Sequence, residues 1–168
     1  AAAEAVGISA DNAVASLSRF AGVKRRLEFI GCVGGVTVYD DFAHHPTAIR
    51  TTLAGLARRR GHGRLLAVLE PRSNTMKLGV HRDALQDSVA EADIPFWLQA
   101  GGIDWQLDSC LDLSSGGQRV FHEVDEILDA LSREAREGDI IVIMSNGGFQ
   151  GIHQRLLAVL AGEVEAVR

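Results

Sequence analysis

Short apolar runs and amphipathic stretches alternate along most of this chain, and the alternation predicts strands and helices in turn. Runs rich in aliphatic and β-branched residues, bounded by turn-forming residues, predict six strands. They lie at Leu27–Ile30, Val36–Tyr39, Arg64–Leu69, Ile94–Leu98, Val120–Phe121 and Asp139–Met144. Apolar residues at helical spacing predict helices beside them. These cover about Ala10–Phe20, Pro46–Arg60, Val80–Glu91, Val124–Gly138 and Ile152–Leu160.

The order of these elements predicts an α/β fold. Gly34-Gly35 is typical of a tight turn, so the first two strands should form an antiparallel hairpin. The later strands alternate with helices, which requires parallel pairing through right-handed crossovers. We therefore expect a Rossmann-like, mostly parallel sheet with helices on both faces. The loops that follow parallel strands meet at one edge of such a sheet, and ligands bind there.

Length, charge and cysteine content narrow the class of protein. A chain of 168 residues is sufficient for one domain with a short appendage. We assign residues 1–22 to a linker or helix from a preceding domain and residues 23–168 to the domain itself. The net charge of −5 disfavours a nucleic-acid partner, which usually requires a basic face. The chain does not begin with Met, so we expect a piece of a longer protein.

Cysteine content and hydropathy together predict a cytoplasmic protein with no membrane contact. The two cysteines are too few for a disulfide framework, which favours a reducing compartment. We see no signal peptide and no apolar run of transmembrane length.

The most concentrated candidate chemistry follows the second predicted strand, where two acids and two imidazoles precede a proline. Pro46 is suited to the first position of a helix, so these side chains lie in a strand-to-helix loop. They could bind a divalent metal, or hold a nucleotide through its ribose and phosphates. A metal-dependent phosphohydrolase would use all four, Asp40, Asp41, His44 and His45. In the simplest alternative, an Asp caps the helix and a His makes one backbone bond.

Two further polar loops follow predicted strands. The loop at residues 70–79 offers Arg72, Asn74, Thr75 and Lys77, a set that suits the carboxylate of a small acidic peptide. It could equally be a solvated loop that packs on Met76 and Leu78. The glycine-rich loop at residues 145–151 is better explained as a tight turn than as a phosphate site. The chain has no Gly-x-x-x-x-Gly-Lys-Ser/Thr motif, so we do not expect it to support ATP chemistry alone.

Three motifs together resemble the C-terminal domain of the Mur ligase family, whose members build the peptide of bacterial cell-wall precursors. They are Asp-Asp-Phe-Ala-His-His-Pro at 40–46, Glu-Pro-Arg-Ser-Asn-Thr-Met-Lys-Leu-Gly at 70–79 and Met-Ser-Asn-Gly-Gly-Phe at 144–149. An upstream Phe20-x-Gly22-x-x-x-Arg26-x-Glu28 pattern is similar to the segment that opens that domain. The resemblance covers residues 20–160. It implies N-terminal and central domains in the same protein, the first for the UDP-sugar and the second an ATPase.

The resemblance implies ATP-dependent formation of an amide bond. The carboxylate of the sugar becomes an acyl phosphate, the α-amine of the incoming group attacks it, and phosphate leaves. The phosphate-binding loop and the main Mg²⁺ ligands would belong to the central domain, so the isolated fragment should be inactive. The C-terminal domain would close over ATP and present the amine.

Residue roles also follow from the resemblance. Asp41 would contact the ATP ribose, Arg26 the nucleotide phosphates, and His44 would lie near the reacting amine. The substrate peptide would be held by His45, Arg72, Ser73, Asn74 and Lys77.

Within the family, the combined motifs are most similar to the member that joins UDP-N-acetylmuramate to L-alanyl-γ-D-glutamyl-meso-diaminopimelate in cell-wall peptide recycling. The UDP-N-acetylmuramate–L-alanine ligase shares the Asp-Asp-x-x-His-His-Pro pattern and is the alternative within the family. Two departures stand out. Phe42 replaces the usual Tyr, and the Asp-Asn-Pro-Arg motif of the diaminopimelate-adding ligase is absent. Arg72 and Lys77 are therefore the candidates for recognising diaminopimelate.

Overall fold

A computed structural model of the chain contains one six-stranded sheet. It describes residues 2–20, 22–99, 101–102, 105–114 and 117–163; residues 164–168 of the predicted domain lie outside this description. The strands are β1 (Glu28–Val33), β2 (Val36–Asp41), β3 (Leu65–Leu69), β4 (Ile94–Leu98), β5 (Arg119–Phe121) and β6 (Ile140–Met144). Their order across the sheet is β1-β2-β6-β3-β4-β5.

Seven α-helices accompany the sheet in the described residues. They are α1 (Ala2–Ala5), α2 (Ala10–Leu17), α3 (Pro46–Ala57), α4 (Asn74–Lys77), α5 (Leu85–Ser88), α6 (Val124–Glu134) and α7 (Ile152–Leu160). Short 3-10 turns occupy Arg82–Ala84, Leu107–Ser109 and Phe149–Gly151. Among the helices of these ranges, none has the length and apolar character needed to cross a membrane.

The strand pairing confirms the predicted α/β fold. β1 and β2 are antiparallel, and every other pair in the sheet is parallel. Gly34 and Gly35, which join the hairpin, have φ angles of +56° and +76°. A two-residue turn with positive φ at both positions matches the twist of the flanking strands, and glycine adopts that conformation without a steric cost.

Two hydrophobic cores form because successive strand residues point to opposite faces. On one face, alternate residues of β2, β3, β4 and β6 pack against α6 and α7. On the other, the intervening residues pack against α3 and α5, with Met76 added from α4 and Leu107 from a 3-10 turn. Helices therefore cover both faces; β3 is buried along its whole length, and β4 and β6 are buried except at their first residues, as a parallel sheet requires.

The predicted helix at Val80–Glu91 was wrong in its extent. The structure has instead the short helix α4, a break at Gly79, a 3-10 turn and the four-residue α5. The indole N–H of Trp105 lies 3.1 Å from the carbonyl oxygen of Met76 and 3.0 Å from that of Lys77. Gly79, at φ +68°, would place a Cβ 3.2 Å from the same indole. Trp105 therefore fixes the end of α4 and the break that follows it.

A charged network closes the amino edge of the sheet around Arg64. Its guanidinium donates to Asp139 at 2.7 Å and to the Glu134 carboxylate at 2.6 Å. Burial raises the pKa of Asp139, but the hydrogen bonds from Arg64 and from backbone N–H groups outweigh it, so that pKa lies below its usual value. Hydrogen bonds from Arg64 and Arg119 likewise lower the pKa of Glu134.

These depressed carboxyl pKa values predict acid sensitivity. A group whose pKa is lower in the folded protein stabilises it above the unfolded pKa, and this stabilisation is lost as the pH falls through the folded pKa. We expect the urea midpoint to be nearly constant above about pH 5 and to fall progressively below pH 4. Asp139→Asn should flatten that slope; an unchanged slope in the variant would contradict the assignment.

Candidate functional site

Three polar loops meet at the carboxyl edge of the sheet, as predicted. β6 lies between β2 and β3, so the loops after these three strands are neighbours. Backbone hydrogen bonds join them where the strands end. Ser145 N–H donates to the carbonyl of Asp41 at 3.2 Å, and Glu70 N–H donates to that of Met144 at 3.1 Å. The candidate site therefore has a floor of continuous sheet and three loops above it.

Asp41 organises the first loop from a buried position. One carboxylate oxygen accepts from Leu27 N–H at 2.8 Å, and the other accepts from Ala43 N–H at 2.8 Å. The hydroxyl of Thr52 lies 3.4 Å from the second oxygen. These bonds tie β2, α3 and the segment before β1 together. Asp41 thus has a structural role in the loop, and its contact with a ribose stays a prediction.

Asp40 points to the opposite face and forms a buried ionic cluster that the sequence reasoning missed. Its carboxylate accepts from Arg25 Nε at 3.1 Å and lies 3.0 Å from Nε2 of His153 on α7. Burial raises the pKa of Asp40, but the neighbouring His153 imidazole and the Arg25 guanidinium hold it below its usual value. The signal was available, because adjacent residues of a strand must face opposite sides of the sheet.

Arg25, rather than Arg26, is the arginine that reaches into the loops. Its guanidinium donates to the carbonyl oxygens of Ser145 at 2.5 Å and Gly147 at 2.8 Å. Arg26 is exposed and lies against the Phe42 ring, with 5.4 Å from Cζ to the ring centroid. Arg25 lies 5.2 Å from the same centroid. Phe42 therefore supports both cations, and Arg26 remains the one that is open to an anionic ligand.

The two histidines of the first loop, His44 and His45, have different hydrogen-bond partners. Nδ1–H of His44 donates to the carbonyl of Phe42 at 2.9 Å. Nδ1 of His45 accepts from Thr47 N–H at 3.3 Å, which caps the start of α3, and its ring centroid lies 4.3 Å from that of His81. The simpler alternative is therefore confirmed for the backbone-bonded imidazole and wrong for the cap, because His45 rather than an Asp caps α3.

The four residues of the phosphohydrolase alternative do not converge on one point. Asp40 and Asp41 bond on opposite faces of β2, and the two histidines have separate partners. No group of three or more His, Cys, Asp or Glu in the described ranges is placed to hold a metal ion. The side-chain arrangement therefore lacks the ligand cluster that this alternative needs.

The second loop contributes to an open cleft of about 310 Å³. Arg72 and Lys77 line it, so the structure brings these two predicted residues together. Ser73 instead caps α4, with its hydroxyl accepting from Met76 N–H at 3.4 Å, and Asn74 is exposed at the start of that helix. Met76 is buried as expected, whereas Leu78 is 77% exposed rather than packed beneath the loop.

Glu70 connects this cleft to the third loop. It is buried, and one carboxylate oxygen accepts from the Ser145 hydroxyl at 2.5 Å. The other oxygen lies 3.9 Å from Nη1 of Arg72. Gly147 makes room for that arginine, because a Cβ there would lie 2.6 Å from Nη1. The third loop therefore positions Arg72 through the missing side chain of Gly147 as well as through Glu70.

Comparison with known proteins agrees with the fold and the loops. The family described as "Mur ligase, glutamate ligase domain" matches residues 25–147. UDP-N-acetylmuramate–L-alanyl-γ-D-glutamyl-meso-2,6-diaminoheptandioate ligases are similar at 47% identity in Escherichia coli, over 100% of this chain, and at 44% in Haemophilus influenzae, over 94%. The chain spans only 37% and 35% of those proteins, or about a third of their length.

Solved structures give the same result. The crystal structure of a murein peptide ligase from Psychrobacter arcticus matches with a TM-score of 0.77 and 48% identity, covering 99% of this chain and 36% of that one. A UDP-N-acetylmuramate–alanine ligase from Thermotoga maritima has a TM-score of 0.77 at 16% identity, covering 96% and 36%, which shows the shared fold alone. On the family match, the close relatives and the fold together, this chain belongs to the Mur ligase family.

Proposed function

We propose that the whole protein is an ATP-dependent ligase that joins UDP-N-acetylmuramate to L-alanyl-γ-D-glutamyl-meso-diaminopimelate. The observation that carries the proposal is the 47% identity, over the entire chain, to the E. coli ligase of that name. A relative named as an L-alanine ligase, from Clavibacter michiganensis, is 31% identical over 92% of the chain, which supports the tripeptide over alanine as the incoming group. The reaction serves cytoplasmic recycling of cell-wall peptide for peptidoglycan biosynthesis.

The role of each domain in this proposal follows from the binding motifs that this chain has and lacks. An N-terminal domain binds the UDP-sugar, and a central domain supplies the phosphate-binding loop and the Mg²⁺ ligands. Residues 1–22 connect that central domain to the domain at 23–168. The present domain closes over ATP and orients the amine, so its contribution is positioning and charge stabilisation.

On the nucleotide side, we assign Arg26 to the phosphates of ATP and Asp41 to its ribose. The exposure of Arg26 and its support by the Phe42 ring favour an anionic partner. A carboxylate has about four lone-pair sites, so Asp41 can accept from a ribose hydroxyl in addition to its present donors. ATP supplies the phosphoryl group that activates the sugar carboxylate.

On the peptide side, we assign Arg72 to a carboxylate and Lys77 to the same charged end. Ser73, Asn74 and His45 lie on the adjacent loops and complete the binding surface in this proposal. The guanidinium fork of Arg72 suits a carboxylate because it donates two parallel hydrogen bonds.

We assign His44 to the reacting amine. Since Nδ1–H donates to the Phe42 carbonyl, the ring is held in the tautomer that leaves Nε2 as an acceptor. Nε2 has no protein partner among the hydrogen bonds of the described residues. An acceptor in this orientation can take a proton from the amine as it attacks the acyl phosphate.

The proposal is tested by ADP release from the full-length protein with UDP-N-acetylmuramate, adding either the tripeptide or free L-alanine. Turnover that depends on the tripeptide supports the recycling ligase. Turnover with L-alanine alone would assign the protein to the alanine-adding activity, and no turnover with either would refute both.

Replacing His44 by alanine should lower kcat about tenfold or more with little change in the KM for ATP, because one proton acceptor is lost at the reacting amine. Steady-state ADP release by the full-length protein measures both constants. His44→Gln, which retains an acceptor but cannot take up the proton, should be similarly slow. Unchanged turnover in both variants would remove His44 from the site.

A further inference from the structure

The cleft beside Arg72 has two walls of opposite charge. Arg72 and Lys77 form one wall, and Nζ of Lys77 lies 3.6 Å from the position that a Cβ would take on Gly102. The other wall comes from the junction of β5 and α6, where His122 and Glu123 line the cavity.

The junction is held in a fixed position by the side chain of Glu126. The carboxylate of Glu126 accepts from His122 N–H at 2.9 Å and from Glu123 N–H at 3.2 Å. These bonds satisfy donors that the start of a helix otherwise leaves without partners. Glu126 therefore fixes the turn that places Glu123 at the cleft, and the Glu123 carboxylate completes the capping box by accepting from the backbone N–H of Glu126.

Of the two carboxylates in the cleft, Glu123 is the one accessible to a ligand. Glu70 is buried and accepts from the Ser145 hydroxyl, and its second oxygen faces Arg72. Glu123 is exposed at the rim. Glu70 is thus a positioning residue for the arginine, whereas the exposed Glu123 lines the cavity and keeps acceptor sites beyond its capping bond to Glu126 N–H.

A cleft with cations on one wall and an acid on the other disfavours a simple anion such as phosphate, because the acid repels it. It suits a group that carries a carboxylate and an ammonium on the same carbon. The volume of about 310 Å³ fits an amino-acid end rather than a whole nucleotide. The free end of diaminopimelate is such a group, since its distal carbon carries both charges.

Resting on the proposed function, we propose that this cleft binds the distal amino-acid end of diaminopimelate, with Glu123 as the partner of its ammonium group. The distal carboxylate lies on Arg72 and Lys77. Glu123 thereby determines specificity for a peptide whose third residue ends in a zwitterion. This contact explains how the chain recognises diaminopimelate without the Asp-Asn-Pro-Arg motif.

The test uses the full-length protein and measures ADP release with UDP-N-acetylmuramate and two peptides. One is the natural tripeptide; in the other, the distal amine of diaminopimelate is acetylated and so uncharged. Glu123→Gln should raise the KM for the natural tripeptide about tenfold, because the charge-assisted hydrogen bond is lost. The KM for the acetylated peptide should be the same in wild type and variant.

Asp125→Asn is the matched control. It neutralises an acid two residues away that pairs with Arg155 on α7 and does not line the cleft, so the peptide KM should not change. If wild type turns over the tripeptide and Glu123→Gln has the wild-type KM, the inference is overturned while the proposed function stands. If wild type does not turn over the tripeptide at all, both are overturned.

Discussion

Replacing Arg72 by alanine in the full-length protein should raise the KM for the tripeptide about 30-fold and leave the KM for ATP unchanged. The expected loss is about 2 kcal/mol, the usual value for a hydrogen bond to a charged group. The side chain is about half exposed and faces the cleft, so its removal should affect binding more than folding. Steady-state ADP release with each substrate varied in turn measures the two constants.

Two further substitutions separate charge from geometry at this position. Arg72→Lys keeps the charge but loses the fork, so its peptide KM should lie between those of wild type and Arg72→Ala. Gly147→Ala leaves the arginine in place but puts a methyl group 2.6 Å from Nη1, which should displace it and raise the same KM. An increase confined to the KM for ATP would contradict the assignment of Arg72 to the peptide.

Replacing Arg25 by methionine should lower the free energy of unfolding of the domain by about 2–3 kcal/mol. The change leaves the buried Asp40 carboxylate with His153 alone and removes the donor for two loop carbonyls. Breaking a fully buried pair costs about 3–5 kcal/mol, and we take a smaller value because Arg25 keeps part of its surface in water. For a domain of this size, the melting temperature should fall by roughly 5–10 °C.

Arg26→Met is the control for that experiment. It removes the neighbouring arginine, which is exposed and contacts the Phe42 ring, so the stability should change by less than about 0.5 kcal/mol. Thermal and urea unfolding of the three proteins measure the difference. Equal stability of the two variants would show that the Arg25–Asp40–His153 cluster does not hold the loops together.

The layout of the fold could be predicted because it depends on local signals. The apolar runs, the Gly34-Gly35 turn and Pro46 at the start of α3 specify where elements begin and end, and the handedness of crossovers then places the loops. The extent of the helix after Gly79 could not be predicted in this way. It depends on Trp105, a residue remote in the chain whose indole bonds the carbonyls at the end of α4.

The candidate site likewise contains residues that the sequence could predict and residues that it could not. Arg72 and Lys77 follow one strand directly, so proximity in the chain places both of them in the cleft. Arg25 and Glu123 come from other segments, and only the tertiary structure brings them to the same edge. Strand alternation places the neighbouring Asp40 and Asp41 on different faces of the sheet, so their separate roles were open to prediction from the sequence but were not predicted.

The central position of β6 has a consequence for how the domain is made. β6 comprises Ile140–Met144, near the end of the described chain. Until β6 has been synthesised, no strand occupies the place between β2 and β3. Pairing over such long sequence separations slows folding and leaves strand edges unpaired in the meantime. The nascent chain should therefore remain without its ligand-binding edge until β6 has been synthesised, and the three loops should then come together in a single step.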